Sequence, residues 1–82
     1  MIKKDIIKYW IKTADQDWRV ASHLFEKGDY PYALFFGHLT IEKILKAIFS
    51  EKNEQTPPFS HNLVYLSEKA GLELSEEQLE LL

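Results

Sequence analysis

The chain has 82 residues, of which 45% are hydrophobic, with no cysteine and a formal net charge of −3. That length holds one domain with a modest core, and the hydrophobic share is that of a globular chain rather than a disordered one. The missing cysteine excludes disulfides and thiolate metal sites, and the acidic balance gives a polyanion no global field to follow.

The first predicted helix runs over residues 4–27, where Ile7, Trp10, Ile11, Ala14, Trp18, Ala21 and Phe25 recur at helical spacing and form one apolar face. Gly28 stops it. Asp29 is the expected N-cap of a second helix over residues 30–52, with Pro31 tolerated in its first turn. So short a link between two long helices folds them back as an antiparallel hairpin. The second helix is apolar nearly all round, which describes a central element packed on several sides. It carries one narrow polar stripe of His38, Glu42, Lys43 and Lys46.

Pro57-Pro58 breaks the second helix, and a short helix is expected over residues 61–70, with Ser60 as its cap and Gly71 as its stop. Ser75-Glu76-Glu77-Gln78 fits a capping box opening a last helix that the chain's end at Leu82 cuts short. No apolar run approaches the ~18 residues of a membrane span, and the opening Met1-Ile2-Lys3-Lys4-Asp5 lacks the apolar core of a signal peptide. A soluble, cytoplasmic protein with no membrane contact is the resulting expectation.

Few residues have the character of a site. Asp17 lies within the apolar arc of the first helix, where a carboxylate is costly unless paired. Its nearest expected partners are Lys43 and Lys46 on the facing helix. The ordinary reading is a structural ion pair, and the sharper one is an acid poised in a cleft. His38, Glu42 and Lys46 stand at successive i, i+4 positions, a spacing that supports a helix by a few tenths of a kcal/mol, and by itself the stripe reads as solvated. His38 reads as a packed or hydrogen-bonded histidine, and His61, directly after a loop, as a contributor to capping. No phosphate loop, zinc spacing or nucleophile triad is present.

The ordered set Trp10, Ala14, Asp17, Ala21, then Gly28-Asp29-Tyr30, Ala33, Phe36, His38, Glu42-Lys43 with Lys46-Ala47, then Pro58 and His61-Asn62-Leu63 with Leu66, resembles the HEPN domain. Glu-Lys-x-x-Lys-Ala followed by Pro and His-x-Leu carries most of the resemblance. It implies an all-α, antiparallel up-and-down bundle of four to five helices, with two long helices as the spine. Residues 1–82 would form one such domain lacking its C-terminal helix or helices. It further implies a homodimer, association with a minimal nucleotidyltransferase, as in toxin–antitoxin-like systems, and a nucleotide or RNA ligand.

On that reading Lys43, Lys46, His38 and His61 are the nucleotide- or phosphate-binding candidates, and Asp17 and Glu42 orient them or pair with them. Phe35, Phe49, Leu81 and Leu82 are the candidates for the dimer surface. Nuclease members of the family carry an Arg-x(4–6)-His motif on a late helix. The single arginine here, Arg19, stands on the first helix, and Arg19-Val20-Ala21-Ser22-His23 has the wrong spacing. No catalytic residue, metal or other cofactor is therefore expected, and no ribonuclease activity unless such a motif lies beyond Leu82. The alternative is a purely structural or protein-interaction bundle whose polar stripe is satisfied internally.

Overall fold

The computed structural model describes residues 3–53, 56–72 and 75–76. Three helices occupy them: α1 (Lys3–Glu26), α2 (Tyr30–Lys52) and α3 (Leu63–Lys69). The all-helical class expected from the sequence holds among the described residues, but three helices are found there rather than four or five. The helix predicted from Ser75 falls mostly on residues 77–82, which lie outside the described residues, as do the dimer candidates Leu81 and Leu82.

The turn between α1 and α2 follows from Gly28, which adopts φ +82°. There its amide donates to the Phe25 carbonyl at 3.1 Å, and the Asp29 amide reaches back to the Leu24 carbonyl at 2.9 Å. This is a Schellman closure, which needs a left-handed residue that only glycine adopts without strain. Gly71 ends α3 in the same way, at φ +77°, with its amide on the Glu68 carbonyl and the Leu72 amide on the Ser67 carbonyl, both at 3.0 Å.

The caps differ from expectation. Asp29 occupies the N-cap position of α2 without a side-chain capping bond; its backbone carbonyl accepts from the Ala33 amide. For α3 the cap is Asn62, whose Oδ1 accepts from the Tyr65 amide at 2.9 Å. Ser60 sits two residues earlier, its Oγ accepting from the Asn62 amide at 3.1 Å. The helix consequently starts at Leu63, two residues later than predicted.

α1 and α2 pack antiparallel, with Ala14, Ala21, Ala33 and Ala47 buried. The buried arc of α1 is turned relative to the expected apolar face: Trp10 and Leu24 are half-buried beside those alanines, whereas Ile11, Trp18 and Phe25 are exposed. α3 docks on a different side of α2 through Leu45, Leu63 and Leu66, against which Leu72 packs. Burying Leu45, Leu63 and Leu66 is worth about 1.5–3 kcal/mol each. Phe49 is 7% exposed, so it belongs to the interior and not to a dimer surface; Phe35 remains exposed.

The third side of α2 is uncovered. Leu34, Ile41 and Ile44 are exposed along it, and a Cβ at Gly37 would meet nothing within 4 Å. Tyr30 begins this stripe and touches Phe25, ring centroids 5.3 Å apart. Ile11, Trp18 and Phe25 recur at i, i+7 on α1, so the two stripes adjoin on one side of the hairpin.

Candidate ligand-binding site

The polar stripe of α2 is not solvated. Glu42 and Lys46 are buried, at 4% and 7% exposure, while His38 at the outer end stays exposed. The cover comes from two directions: Trp10 of α1, and the segment carrying the half-buried Pro57 and Pro58 into α3. Two consecutive prolines hold that segment extended, which brings His61 back over the middle of α2.

Three of the stripe residues and His61 form one connected network. The Lys46 ammonium lies 3.4 Å from Glu42 Oε2 and 5.3 Å from the centre of the Trp10 ring, a cation–π distance. Glu42 Oε1 accepts from His61 Nδ1 at 2.6 Å. The His61 backbone carbonyl in turn accepts from His38 Nε2 at 2.9 Å. Each acceptor is unable to donate, so Nδ1 of His61 and Nε2 of His38 carry the protons. The loop is thus clasped twice at one residue, by its side chain and by its backbone.

Asp17 and Lys43 form a separate pair across the hairpin, 2.6 Å apart and mostly buried. This is the ordinary reading of Asp17, and it selects Lys43 over Lys46 because Glu42 holds the latter. Either lysine would have to leave its carboxylate to reach a ligand. Arg19 pairs with Asp15 at 3.1 Å on the exposed side of α1, remote in character from the buried network.

Of the six candidate residues, the structure brings His38, Glu42, Lys46 and His61 together and sets Asp17 and Lys43 apart as a pair. Only the histidines present much surface; the His61 side chain is 72% exposed despite its bond to a carboxylate that is 5% exposed. Such a dyad, in which a buried carboxylate fixes the tautomer and angle of an accessible imidazole, leaves Nε2 directed to the outside for hydrogen bonding or proton exchange.

Sequence reading gives no role to Phe59, whose ring is 98% exposed and lies 6.2 Å from that of His61. The available signal was an aromatic placed directly after Pro57-Pro58, in a loop otherwise polar. Trp10 reads as core or interface in the sequence, because nothing in its spacing tells that its face receives Lys46. Among the described residues no group of histidines and carboxylates could hold a metal ion, and no helix there is long and apolar enough to cross a membrane.

The family model of the HEPN domain matches residues 7–82. The resemblance carried by Trp10 to Leu66 is borne out, and the match extends past both ends of that set. No curated protein matches the chain, and no solved structure does.

Proposed function

The chain belongs to the HEPN domain family, and from that premise we propose that it is an accessory module that binds a nucleotide or RNA and works with a minimal nucleotidyltransferase in the cytoplasm. The observation that carries this reading is the network Lys46–Glu42–His61–His38, buried at its inner end and accessible at its two imidazoles. Bracing the loop accounts for the Glu42 contact, and the ligand reading adds a use for the imidazole face that this contact leaves exposed. The histidines supply the ligand contacts. Lys43 and Lys46, the phosphate candidates of the sequence, hold Asp17 and Glu42 and stiffen the floor beneath.

The same reading includes a homodimer. Ile11, Trp18, Phe25, Tyr30, Leu34, Ile41 and Ile44 are all exposed, and they adjoin on the side of the hairpin that α3 does not cover. A contiguous apolar surface of this kind marks an interface, and the bare Gly37 lets a second backbone approach closely.

Titration of the protein with ATP, GTP and short RNA, alone and with a minimal nucleotidyltransferase, tests the proposal. Saturable binding that weakens in His61→Ala supports it. Failure to bind any of them, with or without the partner, favours the protein-interaction alternative, in which the network only braces the loop.

A further inference from the structure

We propose that Phe59 and His61 form a subsite for one unpaired nucleobase, with the Phe59 ring as the stacking surface and His61 as the polar contact beside it. This rests on the nucleotide or RNA reading above and names the part of the ligand that is recognised.

The Phe59 ring is almost fully exposed, yet the backbone that presents it is fixed on both sides. Pro57 and Pro58 precede it, half-buried. After it come the Asn62 amide bond to Ser60 Oγ, the His38 bond to the His61 carbonyl, the His61 bond to Glu42 and the Asn62 cap of α3. An aromatic ring on a mobile tip loses much of its binding free energy in ordering. One held on a braced loop loses little. The two rings stand 61° apart at 6.2 Å, so the imidazole edge borders the phenyl surface without covering it.

Charge points to the base rather than the phosphate. The chain has a net charge of −3, and the lysines nearest this site in the sequence motif are held by Asp17 and Glu42. Binding led by phosphate neutralisation needs free cations and weakens steeply with salt. Stacking on an aromatic ring needs neither, and every base offers a π-face.

The test uses fluorescence anisotropy of a labelled single-stranded adenosine octanucleotide, against the same oligomer made abasic, over a range of salt. Phe59→Ala is expected to weaken the intact oligomer by about 5- to 100-fold, the size of one lost base stack, and Phe59→Trp to retain it. The abasic oligomer should bind the unaltered protein as poorly as the intact one binds Phe59→Ala, and the salt dependence should be shallow. Because the ring is exposed, the thermal midpoint of Phe59→Ala should be unchanged, which separates lost binding from lost folding.

Competition by ATP identifies a free nucleotide as sufficient, whereas binding by oligomers alone identifies RNA. If the unaltered protein binds RNA and Phe59→Ala binds equally well, the subsite is wrong and the broader reading stands. If the unaltered protein binds neither RNA nor ATP, both fall. If Phe59→Ala instead shifts the sedimentation coefficient and spares RNA binding, the ring serves a protein contact and the proposal is overturned.

Discussion

Replacing Glu42 by leucine isolates what the buried network contributes. In the native protein both carboxylate oxygens are used, one by Lys46 at 3.4 Å and the other by His61 at 2.6 Å. Glu42→Leu leaves the Lys46 ammonium beneath Trp10 and the loop with no carboxylate, and stranding one member of a buried pair costs about 3–5 kcal/mol. A domain of this size has a total stability of about 4–12 kcal/mol, so the single substitution removes about a quarter of it or more. The double variant Glu42→Leu/Lys46→Met replaces the pair by apolar groups of similar volume, an exchange that is commonly neutral or stabilising. Most of the loss should therefore be recovered. Urea unfolding followed by the fluorescence of Trp10 and Trp18 reads both. With slopes of about 1–3 kcal/mol per molar urea, the single variant's midpoint falls by more than about 1 M and the double variant's returns toward the native value. Should Glu42→Leu fail to fold, Glu42→Gln keeps the shape and loses the charge, with an expected cost of about 1.5–3 kcal/mol. A single-variant shift under about 0.3 M, or a double variant no better than the single, would refute the reasoning that these charges depend on each other.

Two further predictions concern surface and loop. Leu34→Glu places a charge on the uncovered side of the hairpin, where the native residue is 76% exposed. It should leave the melting curve of the isolated fold intact while sedimentation at tens of micromolar moves to the monomer. A native protein that is already monomeric there counts against the dimer. Asn62→Ala removes the side-chain acceptor of the Tyr65 amide and should cost about 1 kcal/mol, seen as faster amide exchange in α3, with α1 and α2 unaffected.

The hairpin was legible because its signals are local. Gly28 announces a left-handed turn, Pro31 sits where a first helical turn tolerates it, and the apolar periodicities on either side are long. The ends of α2 were read correctly for that reason. The seam was only half legible. Asp17 within an apolar arc implied a cationic partner, and Lys43 provides it. The burial of Glu42 and Lys46 depends instead on a loop that returns from nineteen residues further on, where His61 meets Glu42, and helical spacing carries no information about that return. The exposed positions of Ile11, Trp18 and Phe25 had the same cause: a wheel shows that a face is apolar, but not which neighbour covers it.

The seven-residue helix α3 and the loop before it are joined to the hairpin by a small leucine cluster and the double clasp at His61. Lifting that unit leaves α1 and α2 paired, so a rare sub-global opening of the braced loop with α3 is expected at a lower free energy than complete unfolding. In the open form water reaches Glu42 and Lys46, and the imidazole of His61 swings free of the carboxylate that aims it. A ligand seated at Phe59 and His61 holds only the closed form, and so adds its binding free energy to the least stable part of the protein. Slowed exchange of the Leu63–Lys69 amides would then report occupancy from a helix that need not itself touch the ligand.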